Sequence, residues 1–267
     1  MKFISALILL FSIHVCFAWS SAEHRVIAYI AYQNLTPKAR QQINHITKTL
    51  FKSHYPDGRF MKASVWPDDI KRKGKHDYDA WHYINYPRPQ SHNIVWALNR
   101  SINILRNRAT PPSQQAFYLS FIIHLVGDIH QPLHCISLYS KRFPDGDQGG
   151  NLYLIHSKSK NLHRYWDNAL NAIRPGRRGY VNYWRVKNFA MTLMQRYPVS
   201  SVVDEVQYIR PEQWAKQSNQ LAKHYAYSVA YNTKPSKRYV QKGRQVAEQQ
   251  MTLAAYRLAS LLNQLYY

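Results

Sequence analysis

The residues able to do chemistry stand at telling spacings. In Phe121-Ile122-Ile123-His124-Leu125-Val126-Gly127-Asp128, a histidine and an aspartate sit four apart inside an otherwise apolar run. On a helix, positions four apart lie about 40° from one another on one face, a spacing suited to holding one ion. A charged aspartate at a core position is costly unless it is paired or bound to metal. His163 and Asp167, in Leu162-His163-Arg164-Tyr165-Trp166-Asp167, repeat the pattern. Imidazole and carboxylate are ordinary zinc ligands. Either pair alone reads equally as a helical His–Asp hydrogen bond. Two copies, with His134 ten residues beyond His124, turn the reading toward metal. His130 lies about 240° around the helix from His124 and reads as a structural or surface histidine. His45, His54, His76, His92, His156 and His224 lack an acidic partner at ligand spacing and read as ordinary histidines.

The elements that must position these residues are helices. Apolar residues recur at helical spacing through most of the chain, and strand-like alternation is scarce. The pattern predicts helices over about 22–34, 37–52, 90–108, 112–131, 161–172, 182–196, 211–230 and 237–265. Thr36-Pro37 and Pro111-Pro112-Ser113 read as helix starts. Turn-forming residues place loops at 54–60, 71–80, 139–151 and 173–180, the strongest being Phe143 to Asn151. No segment reads as an interdomain linker, and no repeat of about 20–50 residues is present. The expectation is one all-α domain.

The first eighteen residues are expected to stand outside that domain. Lys2 precedes an apolar run from Phe3 to Phe17, broken by Ser5, Ser12 and His14 and ending in Cys16-Phe17-Ala18. This is the pattern of a secretory signal peptide over 1–18, and the run falls short of the ~20 apolar residues that span a bilayer. Cleavage would leave a domain over 19–267 beginning at Trp19, in the periplasm or outside the cell and without stable membrane insertion. Cys16 would leave with the signal, so the remaining Cys135 has no partner for an internal disulfide. Stability must then come from the core or from metal.

Composition narrows the partners. Of 267 residues, 36 are Lys or Arg and only 14 Asp or Glu, a formal charge of +22 that suits an anionic partner such as nucleic acid, a lipid surface or a phosphorylated substrate. With 45% hydrophobic residues a sizeable core is available, and nine glycines exclude collagen-like and low-complexity classes. No Ser-His-Asp or Cys-His arrangement suggests covalent catalysis.

Taken in order, the motifs resemble a known family. They are Trp19 with His24 five residues on, Trp66-Pro67-Asp68, Trp81-His82-Tyr83, His124-x3-Asp128-x5-His134, Gly149-Gly150-Asn151 and His163-x3-Asp167. The set is similar to the zinc-dependent family that includes single-strand-specific nucleases with 3′-nucleotidase activity and bacterial phospholipase C. The resemblance covers essentially all of 19–267. It implies three Zn²⁺. Asp68, His82, His124 and Asp128 would hold the first, and Asp128 would bridge to a second held also by His24 and by the amine and carbonyl of Trp19. His134, His163 and Asp167 would hold the third. That amine exists only after cleavage before Trp19. A bridged pair about 3.5–4 Å apart suits in-line attack of water on phosphorus, because zinc lowers the pKa of bound water toward ~7. Asp68 and Asp128 are thereby the expected catalytic carboxylates, with Asp69, Asp77 and Asp79 as rivals of the first. Lys71 stands where the nucleases carry a basic side chain on the phosphate; otherwise it is one more lysine of the run Lys71 to Lys75.

Three features favour the nuclease branch over the phospholipase. Asp167 matches the nucleases, where the phospholipases look like glutamate. Tyr83 stands where the nucleases stack a nucleobase, which favours single strands. Asn151 resembles a substrate-positioning residue. Asn85 departs from an aspartate usual in the nucleases, and it offers both a donor and an acceptor to a base edge. The disulfides of fungal and plant members are missing. The basic runs Arg174-Pro175-Gly176-Arg177-Arg178 and Lys234-Pro235-Ser236-Lys237-Arg238 could follow a phosphate backbone. A monomeric hydrolase of single-stranded nucleic acid and nucleotides is therefore expected. A phospholipase C and a non-catalytic secreted zinc- or nucleic-acid-binding protein are the alternatives.

Overall fold

The computed structural model describes residues 19–53, 57–173 and 182–267. The expected signal peptide, His54, the start of the 54–60 loop, nearly all of the 173–180 loop and the run Arg174–Arg178 lie outside the described residues. Eleven helices are present among those described: α1 (Ser21–Gln33), α2 (Pro37–Lys48), α3 (Gly58–Ala63), α4 (Trp66–Arg72), α5 (Ile94–Arg106), α6 (Pro112–Asp128), α7 (Leu162–Asp167), α8 (Tyr183–Arg196), α9 (Val203–Val206), α10 (Pro211–His224) and α11 (Lys237–Leu265). Short 3₁₀ turns add Asp79–His82 and Pro132–Cys135. The one antiparallel bridge among these residues joins Leu154 to Asn161. The fold is a single all-α domain, as the periodicity predicts.

Local chemistry starts the helices. Ser20, Thr36, Asn93, Asn182 and Ser236 each accept a backbone N–H of the first turn that follows. Pro37 and Pro112 open α2 and α6, where a missing N–H costs nothing. α6 is the central helix. From Leu119 to Asp128 every residue is buried, and its helical neighbours are α1, α2, α3, α4, α5 and α11. A polar side chain in this stretch has no water to turn to, so His124 and Asp128 must be satisfied from within.

The sequence pattern overruns several ends. α2 stops at Lys48, α6 at Asp128 and α10 at His224, each followed by tighter or irregular turns. α7 ends at Asp167 because Ala169, Leu170 and Asn171 take positive φ values of 43°, 52° and 62°. Tertiary contacts hold that bend: Arg244 Nε donates to Leu170 O at 2.9 Å, and Gly243 packs directly on the Leu170 side chain. Two helices, α3 and α4, lie where loops or nothing regular were expected.

No helix among the described residues is long and apolar enough to cross a membrane. Cys135 is buried and unbridged, its thiol pKa pushed up by burial, so it behaves as a small core side chain.

Candidate metal centre

Six elements deliver side chains to one buried region. α1 brings His24 and α4 brings Asp68. The 79–82 turn brings His82, α6 brings His124 and Asp128, the 132–135 turn brings His134, and α7 brings His163 and Asp167. All eight are at most 6% exposed. Their donor atoms form three groups, the first two sharing His124: His24, His124 and Asp128; Asp68, His82 and His124; His134, His163 and Asp167.

Around α6 the atoms form a near-equilateral triangle. His82 Nδ1 and His124 Nε2 lie 3.0 and 3.1 Å from Asp128 Oδ2, and 3.1 Å from each other. Asp68 Oδ1 stands 3.7 Å from His124 Nε2. The other oxygen of Asp128, Oδ1, is 3.1 Å from His24 Nε2. One carboxylate therefore faces two clusters. In the third group His134 Nε2 lies 3.1 Å from His163 Nε2, which lies 3.5 Å from Asp167 Oδ1.

These distances fit a metal. Ligand atoms about 2.0–2.1 Å from a tetrahedral zinc sit about 3.3 Å apart. Both ring nitrogens of His24, with Asp68 Oδ1 and Asp128 Oδ1, are buried yet lack any hydrogen-bond partner. Such atoms are costly unless a cation satisfies them.

Backbone carbonyls fix the ring tautomers. His124 Nδ1 donates to Ser64 O at 2.7 Å, His134 Nδ1 to His82 O at 2.6 Å, and His163 Nδ1 to Gly149 O at 2.7 Å. Because a carbonyl only accepts, each ring in its neutral form keeps its proton on Nδ1 and turns the Nε2 lone pair into its group. Asp167 Oδ1 accepts from Gln131 Nε2 at 2.7 Å.

The field inside the cluster favours positive charge. Burial alone would depress the His124 pKa, yet the carboxylates of Asp128 and Asp68 outweigh it and bring it up to about 9. Asp128 is held well below the usual carboxylate range despite its burial, by His124 and by the His24 and His82 rings that face its two oxygens. Burial, with His163 alongside, pushes His134 down to about 3, so its nitrogen stays unprotonated. His24 is lowered by burial and by His124.

Trp19 is fully buried beside this region, its indole N–H donating to Gly127 O at 2.9 Å. Ser20 N donates to Asp167 O at 2.8 Å, which ties the start of α1 to the end of α7. The Tyr83–Asn85 strip runs beside His134, with Ile84 N donating to His134 O at 2.8 Å. Gln90 clamps the same strip, donating to Tyr83 O and accepting from Asn85 N. Tyr83, Asn85 and Asn151 are all half-buried, and Asn151 Nδ2 donates to Gln148 O.

The rival aspartates stay outside the groups. Asp69 pairs with Arg72 on the outer face of α4 and Asp77 is exposed. Asp79 meets Lys71 and His76 instead. His76 thus has an acidic partner that its spacing did not suggest, but neither it nor any of the other ordinary histidines among the described residues joins one of the three groups. His130 is structural and fully buried, accepting from Arg257 Nη1 at 2.8 Å.

Sequence reasoning assigned no supporting role to three residues. Gly127 leaves room for His24: a Cβ there would stand 3.0 Å from its Nδ1. Gly149 turns at φ +64°, where a Cβ would stand 2.4 Å from Leu133 O. Gln131 is buried between Asp167 and Leu133 N. A glycine inside a helical pattern was the available signal for the first.

Comparison with known proteins places the chain. The S1/P1 nuclease pattern matches residues 19–267, and the chain belongs to that family. It is 27% identical to Endonuclease 5 of Arabidopsis thaliana over 195 residues, covering 62% of this chain and 61% of that protein. The chain thus matches less than two thirds of that relative's length. Longer alignments run to Endonuclease 4 of the same plant, 24% identical over 99% of this chain and 94% of the relative, and to Nuclease S1 of Aspergillus oryzae, 25% identical over 92% and 91%.

Proposed function

We propose that this chain is a secreted or periplasmic zinc-dependent nuclease. It cleaves single-stranded DNA and RNA to 5′-phosphorylated products and has 3′-nucleotidase activity. The observation that carries the reading is the convergence of three buried His/Asp groups in a member of the S1/P1 nuclease family. The relatives named endonuclease and nuclease support the reaction class.

Asp68, His82, His124 and Asp128 would hold one zinc. His24 and the amine and carbonyl of Trp19 would hold a second, with Asp128 Oδ1 turned toward it. His134, His163 and Asp167 would hold a third. When bound, such ions supply Lewis acidity toward phosphate oxygens and make water a competent nucleophile near neutral pH. Asp68 and Asp128 fix the geometry of the first pair. Lys71 brings an ammonium to the charge that develops on phosphate. Tyr83 offers a face to an unstacked base, Asn85 addresses the base edge, and Asn151 orients the substrate. The burial of the His/Asp groups and of Lys71 strengthens the electrostatic contacts they make.

The reading also divides the chain into a signal peptide over 1–18 and a nuclease domain over 19–267. The family match begins at Trp19, in accord with that boundary. Removal of 1–18 would create the Trp19 amine, making export a condition of metal loading.

The test is hydrolysis of single-stranded DNA by protein beginning at Trp19, with and without a zinc chelator. Release of nucleotides that the chelator abolishes is the expected result. No cleavage by protein shown to carry zinc would overturn the reading, and lipid headgroup release would be assayed next.

A further inference from the structure

Lys71 is only 6% exposed, and a lysine is almost never so buried without a partner. It lies on α4 three residues after Asp68, so the two share the inward face of that helix. Lys71 Nζ stands 3.4 Å from Asp79 Oδ1. The second oxygen of Asp79 turns outward, 3.0 Å from His76 Nδ1. A carboxylate only accepts, so the His76 ring donates from Nδ1. Asp79 N also donates to His76 O at 3.1 Å, which anchors the carboxylate through its own backbone. Asp79 opens the 3₁₀ turn that ends in His82. A relay thus runs from the surface, where His76 is half exposed, through Asp79 to an ammonium on the buried face of α4 that also carries Asp68.

We infer that Asp79 is a positioning residue for Lys71, holding its ammonium in the pose in which it meets the substrate phosphate. The inference rests on the phosphodiesterase reading above. A lysine side chain has four freely turning bonds, and a fixed carboxylate selects among its rotamers before substrate arrives. An ammonium carries three donors, a geometry that can face a carboxylate and a phosphate oxygen at once. His76 restrains the carboxylate from its far side, as an outer hydrogen bond orients a metal-binding carboxylate. The placement also explains why an acidic residue near His82 joins none of the three groups.

The experiment compares zinc-loaded wild type with Asp79→Ala, Asp79→Glu, Lys71→Ala and the Lys71→Ala/Asp79→Ala double variant. Two readouts are used: hydrolysis of a dinucleotide and affinity for inorganic phosphate by calorimetry. Asp79→Ala is expected to lower kcat/KM and phosphate affinity by about tenfold or more, with zinc content unchanged. The double variant should match Lys71→Ala within about twofold, because Asp79 acts only through Lys71. Asp79→Glu should recover part of the loss. Multiplying losses in the double variant, or an Asp79→Ala protein within about twofold of wild type in both readouts, would overturn the inference. Wild type that binds phosphate but does not cleave the dinucleotide would count against the nuclease reading alone. The phosphate-affinity cycle would still decide the role of Asp79.

Discussion

His134 donates from Nδ1 to the backbone carbonyl of His82 at 2.6 Å, while the ring of His82 points its Nδ1 at Asp128 Oδ2, 3.0 Å away. One residue thereby serves two ligand groups, its ring in one and its backbone aiming a ring of another. The two roles separate by mutation. His82→Ala removes the ring and keeps the carbonyl, so the His134 group should retain its metal while the His124 group loses affinity. Elemental analysis should show partial loss of zinc, and activity should fall by at least about a hundredfold. Loss of all metal would mean that the groups do not load independently.

Asp128 offers its two oxygens to opposite sides, Oδ2 to His82 and His124 and Oδ1 to His24. Asp128→Asn keeps the shape but replaces one oxygen by an amide nitrogen that cannot bind a cation. Activity should fall by more than about a hundredfold, far more than for Lys71→Ala, which belongs to no ligand group. Equal and small losses in a side-by-side rate comparison would overturn the proposal that Asp128 bridges two metals.

The residues that gather into the candidate metal groups were legible because they break a local pattern. His124 and Asp128 are polar in a run where every neighbour is apolar, and burial makes such residues informative. Their orienting partners were not legible, since Ser64, His82 and Gly149 act through carbonyls that every residue carries. α3 and α4 have six and seven residues, too few for a helical period to stand out. The end of α7 was missed for a different reason. Ala169 and Leu170 favour helix locally, and the contacts of Gly243 and Arg244 with Leu170, distant in sequence, accompany the positive φ values that end it.

Gly149 tests the loop that supports His163. Its φ of +64° disfavours a side chain, and a Cβ at this position would come within 2.4 Å of Leu133 O. Gly149→Ala should lower folding stability by about 1–2 kcal/mol from the backbone strain alone, with the clash adding to it. Because Gly149 O also holds His163 Nδ1, zinc affinity at the third group should fall with it. Thermal denaturation and metal titration of the variant check the two effects together. An unchanged melting temperature would contradict the described turn.

Acid and alkali should act on the metal-free chain through different histidines. His134, lowered by burial and His163 to about 3, and His24, lowered by burial and His124, refuse protons that the unfolded chain accepts below its value of 6.5. Their contribution to stability is present above 6.5 and is lost as the pH falls below it. Asp128, held far below its ordinary 3.8, adds to the acid loss at lower pH. His124 has the opposite sign. Burial opposes its protonation, but Asp128 and Asp68 raise its pKa to about 9, so its contribution is complete below 6.5 and is lost as the pH rises through 9. The melting temperature of chelator-treated protein should therefore peak near pH 6.5 and decline on both sides. Zinc should flatten the alkaline limb, since a metal cation takes over the role of the His124 proton between the two carboxylates. A zinc-loaded protein whose alkaline limb is as steep as that of the stripped protein would show that His124 does not face the metal.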